Sequence, residues 1–327
     1  MTGGNGFIGS ALVRLLSQSK KNYILNIDKL TYAANLDSLK TLSNSHRYQH
    51  IKADISNYDE IEGILNDFKP DKVFHLAAET HVDRSINEPF DFIKSNIIGT
   101  YNMLEISRDF LTKYKKNHKF RFIHVSTDEV FGSLGKDGMF TESSPYDPSS
   151  PYSASKAASD HLARSWHRTF GLPIIITNCS NNYGPFQYPE KLIPLMISNA
   201  IQHKSLPIYG DGKNIRDWLY VDDHAEALAL ISEKGEIGQT YNIGGNSEKN
   251  NISLVKIICE ILDEVSPSKE IESYKELIKF VDDRPGHDMR YAMDISKIKS
   301  ELGWTPKETF KTGIKKTVKW YLENLLD

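Results

Sequence analysis

The run TGGNGFIG (residues 2–9) sets Gly3, Gly6 and Gly9 three apart at the head of a chain of 327 residues. Glycines at this spacing permit a tight turn, a close approach of the main chain to a pyrophosphate, and close packing of the next helix on its strand. Residues 7–17 read as that helix, which would turn free N–H groups and a positive dipole end toward phosphates. Glycine clusters also make ordinary turns, so the run needs a partner. Asp28 supplies one, closing the apolar run 23–27, 19 residues after Gly9. A carboxylate there accepts from both ribose hydroxyls and repels a ribose phosphate, which points to NAD and against NADP. The turn should follow a strand of about five or six residues, yet Met1 sits directly before it. In the common order 3-2-1-4-5-6 that strand is central, and without it neighbouring backbone groups lose partners at about 1–3 kcal/mol each. The first strand is therefore expected to be missing, through a misassigned start or a truncation that weakens folding or cofactor retention.

The rest of the first half alternates β-rich runs (23–27, 48–53, 72–76, 120–126, 172–179) with helical ones (58–68, 90–114, 153–170). This rhythm predicts parallel strands with right-handed crossovers, an α/β, Rossmann-like doubly wound sheet. After Tyr183, proline and glycine break the rhythm at Gly184-Pro185, Pro189, Pro194, Pro207 and Gly210-Asp211-Gly212. Residues 1–182 are read as an NAD-binding domain. Residues 183–327 are read as a smaller C-terminal α/β substrate-binding domain, with some chain exchanged between the two. Ligands in such sheets bind beyond the carboxyl ends of the strands, so the expected site is the cleft between the two parts.

Composition narrows the partners. A formal net charge of −3 gives no electrostatic reason to expect nucleic acid. Two cysteines, Cys179 and Cys259, make neither a disulfide framework nor a zinc spacing, and no metal is expected. No apolar run reaches the roughly 18 residues of a membrane span, and no signal peptide is visible, so the expected location is cytoplasmic.

Tyr152 and Lys156 have YxxxK spacing in YSASK (152–156). On a helix, positions i and i+4 share a face. The lysine is expected to favour phenolate, making the tyrosine a base for an alcohol, and to hold cofactor ribose hydroxyls.

These motifs, with HLAAETHVDRS (75–85) and VSTDEVFG (125–132), resemble the extended short-chain dehydrogenase/reductase family of nucleotide-sugar enzymes. The similarity is greatest to its 4,6-dehydratase branch. It runs on through NCSNNYGPFQYPEKLIP (178–194), IYGDGKNIRDWLYVDDH (208–224), YNIGG (241–245) and DDRPGHDMRY (282–291). Within that resemblance Thr127-Asp128-Glu129 is the sharpest feature. Moving hydride alone needs a hydroxyl and the tyrosine, whereas removing water from a sugar also needs an acid and a base with separated pKa values. The resemblance implies that Tyr152, assisted by Thr127, takes the 4-hydroxyl proton of dTDP-glucose while hydride leaves carbon 4. Glu129 then takes the carbon 5 proton, Asp128 protonates the departing 6-hydroxyl, and hydride returns to carbon 6. It leaves open another nucleotide-sugar dehydratase or a 4-epimerase acting on a UDP-sugar, or a truncated, inactive NAD-binding protein.

Further roles come from the same resemblance. Gly3, Gly6, Phe7, Ile8 and Gly9 would meet the NAD phosphates. Asp28, Lys29, Leu30 and Thr31 would meet the adenosine ribose, and Asp54 and Ile55 the adenine. Leu76, Ala77, Ala78, Glu79, Thr80, Ser95 and Asn182 would line the nicotinamide side. Substrate would meet Thr80, Thr127, Asn181, Lys191, Leu192, Pro207, Ile208 and Tyr209, with Arg216, Asn251, Arg284 and His287 on its nucleotide and phosphates. Ser95, Ala34 and Phe131 stand where the family more often has threonine, glycine and tyrosine. His81, Asp83 and Arg84 are read as a loop organising substrate and carboxylates. A homodimer is expected through helices 90–114 and 153–170, with Phe92, Ile93 and Ile97 compatible with that interface.

Overall fold

The computed structural model describes residues 1–114, 120–283 and 285–324. In chain order its regular elements begin α1 (Phe7–Ser17), β1 (Ile24–Asp28), β2 (Tyr48–Lys52), α2 (Tyr58–Phe68), β3 (Lys72–His75), α3 (Val82–Asn87), α4 (Pro89–Phe92), α5 (Gly99–Tyr114), β4 (Arg121–Thr127), α6 (Pro151–Phe170) and β5 (Ile174–Cys179). They continue β6 (Asn181–Tyr183), α7 (Leu192–Ile201), β7 (Leu206–Tyr209), β8 (Ile215–Tyr220), α8 (Val221–Lys234), β9 (Thr240–Ile243), β10 (Glu248–Asn250), α9 (Asn251–Val265), β11 (Ile278–Val281), α10 (Ser296–Leu302) and α11 (Phe310–Asn324).

Strands β3-β4-β5-β9 form one parallel set and β1-β2 another. Thr2 joins them, bridging in parallel to Ile27 and to His75. Its amide donates to the Phe74 carbonyl at 2.9 Å, and the Ile27 amide donates to the Met1 carbonyl at 2.9 Å. Two residues thus stand in the central position where a full strand was expected, and the order is doubly wound. Strands covered on both faces read as continuous apolar runs, and β1 and β5 are buried along their whole lengths. One face packs on Ile61, Phe110, Phe122 and Ala163, beneath α2, α5 and α6. The other packs on Leu12, Ile123, Ile175, Leu228 and Ile231, beneath α1 and α8.

The later chain crosses back into this sheet. Strand β9 pairs with β5, and α8 packs against α1. The remainder forms a second core of Tyr183, Ile197, Trp218, Leu254, Ile258, Phe310 and Ile314. Around it lie β6-β8-β10 and the parallel pair β7-β11.

Two helices differ from the sequence expectation in ways that bear on the site. Helix α6 starts at Pro151 because Ser150 caps it reciprocally with Ser153 and proline is tolerated in the first turn. The expected helix 90–114 is broken by a π-helical stretch, Ile93–Ile98, between α4 and α5. Just after it, a Cβ on Gly99 would come within 2.5 Å of Ile55 Cδ1. π-Helical turns are common at functional sites, and this one carries the buried Ser95 and Asn96. Phe92, expected at an interface, is instead buried and packs edge-on to Tyr152. Among the described residues no helix is long and apolar enough to cross a membrane.

Leu12 is fully buried in the layer that joins α1 to the sheet and α8. Leu12→Ala should cost about 2–5 kcal/mol of unfolding free energy, read as a lowered urea midpoint with an unchanged slope.

Candidate active site

One deep cleft opens along the carboxyl ends of the parallel strands and is lined from both parts of the chain. At its floor Gly3 adopts φ +71°, and a Cβ there would stand 2.7 Å from the Ala77 amide nitrogen. A Cβ on Gly9 would meet the Gly3 carbonyl oxygen at 2.2 Å. The close approach that the glycine spacing suggested is therefore real. Gly6 caps α1 with no side-chain hydrogen bond, leaving the first-turn amides of Phe7 and Ile8 to a ligand. Asp28 ends β1 with its carboxylate held by the Asn5 and Leu30 amides, each at 2.9 Å. Beside it the Lys29 ammonium is taken by Glu79 Oε1 at 2.9 Å and Ser95 Oγ at 2.8 Å. The cation that could have attracted a ribose phosphate is already paired. This set of uncapped amides, a cradle that a Cβ would fill and an oriented carboxylate fits NAD.

Of the other expected cofactor residues, Thr31, Ile55, Leu76, Ala77, Ala78, Thr80 and Asn182 line the cleft. Leu30 lies outside that lining. Asp54 also lies outside it, accepting from the Ser56 amide at 2.9 Å. Burial would raise the Asp54 carboxyl, but the Ser56 bonds and the Lys29 and Lys94 charges bring it below its ordinary value. Glu79 acts from behind the lining, holding Lys29 and exchanging two backbone hydrogen bonds with the Asn96 amide group at 2.8 and 3.0 Å.

The acid–base groups converge where β4 meets α6. Thr127 ends β4, and Asp128 and Glu129 open a short 3₁₀ turn that Thr127 caps by accepting from the Glu129 amide at 3.2 Å. Tyr152 and Lys156, one turn apart on α6, are almost fully buried beside them. Lys156 Nζ donates to the Val125 carbonyl at 2.9 Å. Burial, then the neighbouring Glu129 charge, holds the Asp128 carboxyl well above the usual carboxylate range, though Arg216 pulls it down. Among the described residues Asp128 Oδ2 is buried with no hydrogen-bond partner. The protein thus places a protonated acid beside a second carboxyl group.

The expectation for Tyr152 needs correction. Burial, then the charges of Glu129 and Cys179, raises its phenol well above the ordinary value, while the Thr127 hydroxyl lowers it. Lys156 is not what governs it, because burial lowers the lysine's own pKa and its ammonium is turned to Val125.

Among expected substrate residues, Thr80, Thr127, Asn181 and Lys191 line the cleft. A second group lies beyond that lining. Arg216 is buried, donates to the Asp288 carbonyl at 2.8 Å, and stands 4.3 Å over the Tyr291 ring. His287 bonds Asp283 Oδ1 at 2.6 Å and meets the exposed ring of Tyr209 edge-on. Asn251 opens α9, its amide donating to the Asn214 carbonyl at 3.1 Å. Leu192, opening α7, packs on the second core. Ile208 is corrected likewise: alternation along β7 turns Leu206 and Ile208 into that core and Pro207 and Tyr209 outward. Arg284 lies outside the described residues.

Sequence reasoning missed the mouth of the cleft. Tyr32, Gln187 and Tyr188 line it. The Arg84 guanidinium sits 3.7 Å over the Tyr32 ring and reaches Glu190 at 3.2 Å. Tyr32 meets Tyr188 edge-on at 5.4 Å, and His81 Nε2 lies 3.4 Å from Glu190. Arg84 and His81 therefore tie the two sides of the mouth together through Glu190, not through the catalytic carboxyl groups. Residues so far apart along the chain carry no local signal of this contact.

The glycine turn, the acidic strand end and the Thr–Tyr–Lys set define a short-chain dehydrogenase/reductase of the extended, sugar-nucleotide type. A family model described as GDP-mannose 4,6 dehydratase matches residues 1–317. The dTDP-glucose 4,6-dehydratase of Haemophilus influenzae is 57% identical over 330 residues, covering 99% of this chain and 97% of its own. Two solved dTDP-glucose 4,6-dehydratases superpose over 99% of this chain and 96% of theirs. That of Bacillus anthracis, with NAD, has TM-score 0.87 and 44% identity. That of Streptomyces venezuelae, with NAD and TYD bound, has TM-score 0.89 and 42% identity. The chain belongs to the dTDP-glucose 4,6-dehydratase family.

Asp28→Ala removes the carboxylate and leaves the Asn5 and Leu30 amides without their partner. NAD should bind about 10–100-fold more weakly, equivalent to about 1.4–2.8 kcal/mol, as measured by calorimetric titration.

Proposed function

We propose that this chain converts dTDP-glucose to dTDP-4-keto-6-deoxyglucose. The observation that carries the reading is Asp128, a buried carboxyl next to Glu129 at the strand end, its Oδ2 without a partner among the described residues and its pKa pushed up by burial and by Glu129. An enzyme that only oxidises carbon 4, or an epimerase, has no use for that pair. Gly3, Gly9, the open end of α1, Asp28 and the Leu76–Thr80 segment would hold NAD. When bound, NAD supplies a hydride acceptor that is restored within the cycle, and a positive ring that favours the Tyr152 phenolate.

Tyr152 takes the proton of the 4-hydroxyl, with Thr127 orienting that hydroxyl and Lys156 holding the cofactor ribose. The resulting ketone acidifies the proton on carbon 5. Glu129 removes that proton while Asp128 gives its own to the departing 6-hydroxyl, so water leaves across carbons 5 and 6. Glu129 then reprotonates carbon 5 as hydride returns to carbon 6. Asn181, Lys191 and Thr80 would contact the sugar, and Arg216, Asn251, Arg284 and His287 the nucleotide and its phosphates. On this reading residues 1–182 hold the cofactor and residues 183–327 the nucleotide. The reading places the reaction in the cytoplasm, and the free buried thiols of Cys179 and Cys259 suit a reducing compartment.

The test is to incubate the chain with NAD and dTDP-glucose and follow mass. The expected product has lost one water with no net reduced cofactor; intact sugar nucleotide, or its C4 epimer, would overturn the reading. Tyr152→Phe should lower kcat/KM by about 10²–10⁴ and abolish oxidation at carbon 4. Asp128→Asn and Glu129→Gln should lower product formation comparably yet still reduce the cofactor, seen as accumulating reduced-nicotinamide absorbance. Since Asp128 donates a proton from a raised pKa, water loss in the wild type should persist above the usual carboxylate range. It should fall as pH rises through that raised value.

We also infer a homodimer. Phe90, Ile93, Ile98 and Tyr101, along α4 to α5, and Phe170, at the end of α6, are exposed large hydrophobic side chains. Ile93→Asp should convert a dimer to a monomer in sedimentation analysis.

A further inference from the structure

Asp160 is a wholly buried carboxylate with no part in the proton transfers above. It lies on α6 one turn beyond Lys156, so Tyr152, Lys156 and Asp160 follow at i, i+4 and i+8 on one face. Four side chains converge on it. His124 Nε2 lies 2.9 Å from Oδ1, while Oδ2 accepts from Ser126 Oγ at 2.8 Å, Tyr146 OH at 2.8 Å and Asn178 Nδ2 at 3.4 Å. His124 and Ser126 flank Val125, whose carbonyl takes the Lys156 ammonium, and Asn178 also donates to the Thr127 carbonyl at 3.0 Å. This carboxylate therefore grips the strand that carries Thr127, Asp128 and Glu129, from the helix that carries Tyr152.

We propose that Asp160 is a positioning residue acting through Lys156: it is the counter-charge that keeps this buried lysine an ammonium, and it sets β4 against α6. The proposal rests on the dehydratase reading of the site. An ammonium taken out of water gives up its proton unless a charge opposes the loss. On β3, burial lowers His75, and on β4 it lowers His124, which the Asp160 bond raises in turn. At the end of β4 burial raises the Asp128 carboxyl well above its ordinary value, while Glu129 directs its charge at Asp128 and Tyr152. On β5 the Cys179 thiol is pushed up to about 12, and the Met1 amino group is brought down by burial to about 5. On α6 the Tyr152 phenol is uncharged, and Arg164 is turned to the Tyr146 hydroxyl at 2.8 Å. From β8, Arg216 acts on Asp128 and Asp217 is itself raised by burial. Burial would raise the Asp160 carboxyl, but the His124 bond and the His124 charge, then the Lys156 charge, hold it below the ordinary value. For Lys156, burial lowers and Asp160 is foremost among the groups that raise.

The test is the pH profile of reduced-nicotinamide formation from NAD and dTDP-glucose, the carbon 4 step that does not draw on the Asp128 proton, in the full chain carrying Asp128→Asn, alone and with Asp160→Asn, Asp160→Glu or Tyr146→Phe. Asp160→Asn keeps the shape and removes the charge. Its basic limb should move down by about one pH unit, with kcat about tenfold lower on that limb and less affected on the acid side. Asp160→Glu keeps the charge, so its limb should stay in place even if the rate falls. Tyr146→Phe removes one neutral donor and should leave the limb unmoved. A loss in Asp160→Asn that is the same at every pH would reduce Asp160 to scaffolding and overturn the proposal. So would a limb that moves equally in Tyr146→Phe. If the asparagine variant does not fold, Asp160→Ser replaces it and is judged against Asp160→Glu: a limb lower in the serine than in the glutamate variant supports the proposal, and equal limbs overturn it. Absence of product from the wild type would overturn the dehydratase reading itself, whereas an active wild type with an unmoved limb in Asp160→Asn overturns only the role of Asp160.

Discussion

Asp128, Tyr152 and Lys156 lie almost wholly out of water, and burial moves their protons in opposite senses. It holds protons on the carboxyl and the phenol and loosens one on the ammonium. An acid, a latent base and a cation thus coexist within one turn of helix and one strand end. The surrounding fold has to keep that region dry and still satisfy its polar atoms. Ser126, Asn178 and His124 do so from the strands, while Ser150 and Pro151 fix where α6 begins. A helix that began at Ser153 would leave Tyr152 outside its first turn.

The cleft depends on the later half of the chain as much as on the sheet. Strand β9 extends the sheet beside β5, and α8 covers α1. The segment after β6 then supplies Gln187, Tyr188 and Lys191 to the wall. Lys191 Nζ reaches the Thr80 carbonyl at 3.2 Å, and Glu190 takes Arg84 and His81. The mouth is therefore spanned by polar contacts that are mostly exposed, weak singly and screened by salt.

Much of the fold was legible because its signals are local. Helices 7–17 and 58–68 agree with the structure at both ends, since apolar spacing and length mark them without help from neighbours. The long helix 90–114 was legible as helix but not as interrupted, because its π stretch lies beside the contact between Gly99 and Ile55, 44 positions earlier. Ile208 was assigned to a wall by resemblance, although the alternation of LPIY already placed it with Leu206. Arg84 was read as part of a substrate loop, but its place over the Tyr32 ring carried no signal, since a cation over a ring is a tertiary event.

The sequence by itself determined the chemistry available: glycines where a Cβ is forbidden, an aspartate at a strand end, a Thr-Asp-Glu run and a Tyr–Lys pair at helical spacing. These are properties of residue type and short spacing, and they survive without knowledge of the fold. Only the tertiary structure decided which protons those groups hold. Sequence spacing suggested that Lys156 lowers the Tyr152 phenol, whereas burial and the Glu129 charge raise it. It also turned Asp160 from an unremarked helix residue into the charge beneath the lysine. The reason is that desolvation and Coulomb interaction depend on distance in space and on excluded water, neither of which is written in the order of the residues.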